Sequence, residues 1–276
     1  MENTNNNGAK SKPIIICAQQ RSGTTLLVKA LGEMNECRAY GEVFDPYYYH
    51  SKENFSFFYF KKKLIEKNID FTFPSTKNQK KIFEQFFHFL KSNNKKSFHV
   101  IDIKYDSWHH FNPVWHCSEQ PPALLSWIKA LNIPVIHIIR KNLLHQYISS
   151  EVAAKTGKYH YEKNENIIVE NKKIIIKPNH CKFIMHRVKR NIKKHQGWFN
   201  NYPYYYQICY EDLIRNGVFS NRINNIISSI TNNKIMKLKD PPLKKGIKNP
   251  LENVENKQQL VNVITQSVFA GYLNRE

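Results

Sequence analysis

The chain has 276 residues, 41% of them hydrophobic and 13% aromatic, a composition that excludes a wholly disordered protein. Its 42 basic and 22 acidic residues leave a formal net charge of +20. One interpretation of this surplus is a compositional bias toward Lys and Asn without functional meaning. The other is an anionic partner, which could be nucleic acid, a nucleotide, an acidic glycan or an anionic membrane. No apolar run approaches about 18 residues, so no transmembrane helix is expected. The five cysteines form no C-x-x-C pair, which favours reduced thiols in a cytoplasmic protein.

The polar N-terminus contains no apolar segment typical of a secretory signal, so we expect residues 1–12 to form a flexible tail. No internal repeat and no Gly/Ser- or Pro-rich linker divides the remainder. The sequence therefore predicts a single domain over residues 13–276.

The β-branched run at 13–18 predicts a buried strand of the parallel type, followed by a loop at 19–25 and a helix. Similar runs predict strands at 98–104, 133–140 and 205–210, and helical periodicity occurs at about 79–92, 121–131, 143–155, 180–197 and 219–230. Strands that alternate with helices indicate an α/β fold with a mainly parallel sheet. The apolar segments 167–169 and 174–176 are compatible with an inserted β-hairpin.

The loop after the first predicted strand has the features of an anion site. Gly23 lets the backbone approach a phosphate, Thr24 and Thr25 offer hydroxyls, and Arg21 supplies a guanidinium. It differs from the loop of nucleoside-triphosphate enzymes, in which a Lys follows the Gly and a Ser or Thr binds Mg²⁺. A metal-free anion site is therefore favoured over an Mg²⁺-nucleotide site, and a plain strand-to-helix turn is the alternative.

Five segments in order resemble the sulfotransferases that use 3′-phosphoadenosine 5′-phosphosulfate (PAPS), closest in style to bacterial glycan and glycolipid enzymes of the trehalose and Nod-factor type. These segments are 20–27, 40–44, 140–149, 210–213 and 244–256. The resemblance covers about residues 13–256. It implies a P-loop-like, three-layer α/β fold with a central, mainly parallel sheet flanked by helices. It also implies PAPS as donor, 3′-phosphoadenosine 5′-phosphate (PAP) as product, and no metal.

The resemblance also assigns the donor-binding residues. The 5′-phosphate would be wrapped by the loop residues Arg21, Ser22, Gly23, Thr24, Thr25 and Leu26. Arg140 and Ser149 would hold the 3′-phosphate, although their spacing of nine, one more than in cytosolic eukaryotic members, leaves Ser150 as the alternative. A basic C-terminal loop would cover that phosphate through Lys244, Lys245 and Lys248.

The implied reaction is in-line transfer of a sulfuryl group to an acceptor hydroxyl. Arg21 would stabilise the developing charge, Glu42 would act as the base, and Lys104 would reach the bridging oxygen. Cytosolic relatives carry K-x-H where this chain has Lys104-Tyr105-Asp106, so Asp106 is the rival base.

The acceptor is expected to be a carbohydrate or glycolipid, with peptide tyrosine also open, and the sequence specifies neither its identity nor the oligomeric state. Two alternatives remain: a catalytically inactive sulfotransferase relative that binds an anionic ligand, and a P-loop kinase or nucleotide hydrolase. Nucleic acid is not an expected partner. The basic helix predicted at 180–197 leaves peripheral membrane contact open.

Overall fold

The computed structural model describes residues 12–48, 55–92, 94–117, 120–160, 173–243 and 249–274. The predicted tail therefore lies outside the described residues apart from Lys12, which is the first residue of the first strand. In the described residues, no helix is long and apolar enough to cross a lipid bilayer. All five cysteines are described, and all are free.

The central sheet has five strands, β1 (Lys12–Ala18), β2 (Cys37–Gly41), β3 (Phe98–Lys104), β4 (Val135–Ile139) and β5 (Tyr205–Cys209). Two short strands, β6 (Ile214–Arg215) and β7 (Val218–Phe219), form a separate antiparallel pair. The helices of the described residues are α1 (Thr24–Gly32), α2 (Phe57–Lys67), α3 (Thr76–Ser92), α4 (Ala123–Ala130), α5 (Leu143–Thr156), α6 (Pro178–Trp198), α7 (Asn221–Ile230) and α8 (Lys257–Thr265).

The sheet order is β2-β3-β1-β4-β5, and every neighbouring pair is parallel. Because all five strands run in the same direction, their carboxyl ends lie along one edge of the sheet. The register pairs Ala18 with both Lys104 and Ile138, which places the ends of β1, β3 and β4 side by side. This arrangement confirms the predicted α/β fold with a P-loop-like parallel sheet.

Alternating residues of the buried strands supply two cores, one on each face of the sheet. Ile15 and Cys17 of β1 pack with apolar side chains of α3 and α4, whereas Ile14 and Ile16 pack with those of α1 and α7. Side chains of a strand alternate between faces, so an unbroken apolar run is what a strand covered on both sides requires. The helices thus form the two outer layers of a three-layer fold.

A third apolar cluster joins α5, α6 and α8 at one side of the sheet. Ile174 and Ile176 are buried in this cluster, and Ile174 forms an isolated parallel bridge with Val254. The segment 174–176, predicted as one arm of a hairpin, therefore pairs with the C-terminal region instead. Segment 167–169, the other arm, lies outside the described residues. Long-range burial decided this pairing, which local alternation cannot indicate.

Candidate active site

The loop between β1 and α1 adopts a left-handed backbone at two positions. Arg21 has φ of 63° and Gly23 has φ of 81°. Gly23 is the N-cap residue of α1 and, as a glycine, offers no side chain to cap the first turn of that helix. The amides of the first turn consequently point outward with the positive end of the helix dipole, the arrangement that binds anions.

Gly23 is also required by a close neighbour, the ring of Tyr210. A Cβ atom at Gly23 would lie 2.4 and 2.7 Å from two ring carbons of Tyr210, closer than real contacts allow. The same ring also lies against Arg140, whose guanidinium carbon is 4.8 Å from the ring centroid. Tyr210 therefore connects the loop to Arg140 through packing and a cation–π contact.

Arg140 follows β4 and is almost fully buried, with 9% of its surface exposed. Its Nη1 donates a hydrogen bond of 3.1 Å to the backbone oxygen of Arg21, and its buried Nε has no hydrogen-bond partner among the described residues. Burial lowers the pKa of Arg140, while Tyr210 and Glu211 act in the opposite direction. A buried cation with a free donor is an unsatisfied group that an anion can complete.

Arg21 reaches across to α5. Its Nε and Nη2 lie 3.4 and 3.3 Å from the Ser149 hydroxyl, and its Nη1 donates to the Tyr159 carbonyl at 2.6 Å. The resemblance paired Ser149 with Arg140, but the structure brings Ser149 to Arg21. Ser150, one position further along the helix, faces a neighbouring cavity. Both serines thus lie beside the loop, on different sides of α5.

Two further residues hold the loop and the start of α5 in place. Gln146 donates to the Gln20 carbonyl at 2.8 Å and to the Ser22 hydroxyl at 2.9 Å. The Glu211 carboxylate accepts from the Lys141 amide at 3.0 Å and from the Asn142 amide at 3.3 Å. This carboxylate therefore occupies the N-terminus of α5, whereas the N-cap residue of α1, Gly23, supplies no such group.

Lys104, at the end of β3, is the centre of a buried charged cluster. Its Nζ donates to Asp102 Oδ2 at 2.7 Å and to Thr24 Oγ1, and it lies 3.2 Å from Glu42 Oε1. Burial acts to lower the pKa of Lys104, but Asp102 and Glu42 together raise it, so the amine stays charged. The structure thus brings together Lys104 and Glu42, two of the three side chains that the resemblance assigns to catalysis, next to the first residue of α1.

Glu42 follows β2 and retains some access to solvent, since 32% of its side chain is exposed. Burial raises the pKa of this carboxyl group above its usual range, and the neighbouring Lys104 opposes the shift. A carboxylate with a raised pKa is a better proton acceptor, as a general base requires. Asp106, the rival base, lies elsewhere, on the wall of a cavity.

That cavity has a volume of about 200 Å³ and opens beside the loop, between α5 and α6. Its polar lining includes Gln19, Gln20, Asp106, Ser150, His180 and Arg187. Amides, a hydroxyl and charged groups on one wall can form hydrogen bonds with a polyhydroxylated ligand.

The sequence assigned no individual role to Asp102, Gln146 or Tyr210. Asp102 could have been noticed, because a carboxylate inside an otherwise apolar strand, two positions from a lysine, lies on the same face as that lysine. Tyr210 and Gln146 contribute only through contacts with distant loops, which no local pattern shows. Lys244, Lys245 and Lys248 lie outside the described residues. Within the described ranges, no cluster of His, Cys, Asp or Glu could hold a metal ion.

The sequence matches no model of a known protein family. It matches no curated protein either. Among solved structures it is similar to a sulfotransferase domain from the curacin biosynthetic pathway, with 17% identity, 95% of this chain and 82% of that chain covered, and a TM-score of 0.42. Because this TM-score is low, the function proposed below rests on the residues of the site.

Proposed function

We propose that this protein is a sulfotransferase that uses PAPS to sulfate a hydroxyl group of a carbohydrate or glycolipid. One observation carries the proposal: the Arg140 guanidinium donates to the backbone oxygen of Arg21. Two guanidiniums therefore flank the loop before α1, a helix whose N-cap residue has no side chain. The Lys104–Glu42 pair lies at the same loop through Thr24. A sulfuryl donor with two separate anionic groups needs two cationic groups to bind it, and its reacting centre needs a cation and a base nearby.

The donor set fits PAPS. The uncapped amides from Gly23 onward and the Arg21 guanidinium suit a 5′-phosphosulfate, and the unpartnered Nε of buried Arg140 suits the 3′-phosphate. Thr24 accepts from Lys104, which leaves its own hydroxyl proton available to an anion. The basic residues Lys245 and Lys248 belong to the proposed 3′-phosphate site by resemblance alone.

When bound, PAPS supplies an activated sulfuryl group. Arg21 and Lys104 stabilise the negative charge that develops on the oxygens around the sulfur during transfer. Asp102 holds Lys104 by a 2.7 Å contact, so the amine is fixed before substrate arrives. Fixed charges in a buried site need little reorganisation, and most of the rate enhancement is expected from them.

Glu42 removes the proton from the acceptor hydroxyl. The raised pKa of this carboxyl group gives it proton affinity, and its contact with Lys104 keeps it close to the reacting centre. The reacting hydroxyl of the acceptor is assigned to Glu42, and the remainder of the acceptor to the cavity beside Gln19 and Gln20, whose polar lining suits a sugar. Asp106 in that lining then orients acceptor hydroxyls.

Ligand binding tests the donor assignment. We expect PAP to raise the thermal unfolding midpoint, and to do so more than 5′-AMP or ATP with Mg²⁺, since a ligand present at about 100 times its Kd stabilises by about 2.7 kcal/mol. Arg140→Gln should abolish the preference for PAP over 5′-AMP. Arg222→Gln, which removes an exposed arginine that donates to the Gln207 carbonyl, is the matched control and should retain the preference.

Transfer of radiolabelled sulfate from PAPS to a panel of glycans and glycolipids tests the activity. Glu42→Gln should lose most turnover while keeping PAP binding, whereas Asp106→Asn should mainly raise the KM for the acceptor. The reverse pattern would make Asp106 the base. PAP binding without transfer to any acceptor would favour the inactive binder, and a preference for ATP with Mg²⁺ would favour a kinase or nucleotide hydrolase.

A further inference from the structure

Four large apolar side chains are exposed on two adjacent segments. Ile69, Phe73, Val114 and Trp115 each have 60–70% of their surface exposed. The Val114 amide donates to the Pro74 carbonyl, which joins the two segments. We call this set the 69–115 patch. Contiguous exposed apolar groups of this size mark an interaction surface.

The patch is held rigidly rather than carried on loose loops. Phe71 and Phe111 are buried in the core beneath it, one in each segment. The Asn78 side chain donates to the Asp70 carbonyl at 2.7 Å and to the Phe73 carbonyl at 2.9 Å. The backbone that carries the exposed side chains is therefore held by the burial of Phe71 and Phe111 and by the hydrogen bonds of Asn78.

Basic residues are frequent in α2 and α3, the two helices that adjoin the 69–73 part of the patch in the chain. The segment 57–92 contains eight lysines against three acidic residues. One of those acids, Glu66, is paired with Lys63 at 2.7 Å. Exposed Lys67, Lys77 and Lys81 have no carboxylate partner among the described residues. Apolar and aromatic side chains beside lysine-rich helices form the combination that binds anionic lipid surfaces.

We propose that the 69–115 patch docks this protein onto an anionic lipid bilayer. Trp115 and Phe73 enter the interface between headgroups and acyl chains, and the lysines of α2 and α3 contact anionic headgroups. The charge favours a bilayer over a second copy of this chain, because two copies would bring their lysines together. The proposal does not depend on the function proposed above.

The patch is also linked through the chain and the core to the candidate active site. The 3-10 stretch Tyr105–Phe111 follows Lys104 directly and ends three residues before Val114. Phe44, two residues after Glu42, packs on Phe111 with a centroid distance of 5.6 Å. Docking through the patch would therefore bring the site close to lipid-borne acceptors.

Vesicle binding of the full chain tests the proposal. We expect the protein to sediment with vesicles of phosphatidylcholine and phosphatidylglycerol, but not with phosphatidylcholine alone. The double variant Phe73→Ser/Trp115→Ser should bind at least tenfold more weakly. Lys77→Gln/Lys81→Gln should weaken binding by about fivefold for each lysine removed. Near-ultraviolet circular dichroism establishes that each variant is folded.

Two control variants make the test specific. Met236→Ser/Val268→Ser removes apolar groups exposed to 73% and 74% elsewhere and should bind as the wild type does. Arg190→Gln/Lys193→Gln removes two exposed charges of α6, the basic helix for which the sequence left membrane contact open, and should weaken binding less than the α3 variant. Stronger weakening by the α6 variant would overturn the proposal.

Tryptophan fluorescence gives a second readout that does not rely on a destabilising variant. Brominated lipids should quench part of the wild-type emission, and Trp115→Phe should remove that part, because the other three tryptophans lie outside the patch. Unchanged quenching in Trp115→Phe would contradict docking by this face. Light scattering tests for a dimer instead. If the wild type has twice the chain mass of 32.7 kDa, the Phe73→Ser/Trp115→Ser variant has half that mass, and no vesicle binding occurs, the patch is a dimer interface.

Discussion

Replacing Asp102 by Asn tests whether the Lys104 cluster is held by buried charge. The substitution keeps the shape of the side chain but removes its negative charge. Asp102 is 2% exposed, Lys104 is 8% exposed, and their atoms lie 2.7 Å apart. The variant therefore leaves a buried ammonium with one carboxylate partner instead of two.

Removing one partner of a buried ion pair costs about 3–5 kcal/mol. Glu42 remains 3.2 Å from Lys104, so we expect the lower end, about 3 kcal/mol of lost unfolding free energy. The charge of Asp102 also raises the pKa of Glu42. Without it that pKa falls, and the acid limb of the pH–activity profile should move to lower pH.

Denaturant unfolding and a pH–rate profile measure these two effects. Asp212→Asn is the matched control, since Asp212 pairs with Lys141 at 2.9 Å but 48% of the Lys141 side chain is exposed. Such a surface pair contributes below about 1 kcal/mol. If Asp102→Asn costs no more than Asp212→Asn and the acid limb stays in place, the buried cluster does not have the role assigned to it.

Two other expectations concern the loop and the core. Gly23→Ala should lower the unfolding free energy by at least about 2 kcal/mol and weaken PAP binding, because it combines a positive φ with a clash on Tyr210. Gly217→Ala, at nearly the same φ but with open space around it, should cost only about 1 kcal/mol, and equal losses would exclude the clash. Burial lowers the pKa of His137 to about 3 and of His195 to about 4, so both are protonated first in the unfolded chain. Stability should therefore fall as the pH drops below about 6.5, by about 1.4 kcal/mol per pH unit for each histidine. His137→Gln should flatten that slope in urea titrations, and an unchanged slope would refute the assignment.

Much of the fold was predictable because its signals are local. The apolar run at 13–18 indicated a strand buried on both faces, and β1 occupies it with one extra residue, Lys12. The helices predicted at 143–155 and 180–197 agree within two residues with α5 and α6. By contrast, α8 is only nine residues long and was not predicted. Its Leu260 and Ile264 are buried in the apolar cluster shared with α5 and α6, a contact that no local pattern shows.

The chemical groups available to the site could be read directly from the sequence: a guanidinium and a glycine in a loop that precedes a helix, a second guanidinium after a later strand, and carboxylates after two others. Which of these groups meet depends on how the chain packs. That packing brought Glu42 and Asp102 to Lys104 and turned Ser149 toward Arg21. It also placed the Tyr210 ring between Gly23 and Arg140. Parallel strands place their carboxyl ends at one edge of the sheet, so local patterns indicate which residues lie near that edge. The contacts made there depend on packing between residues far apart in the chain, such as Gly23 and Tyr210, which are 187 positions apart.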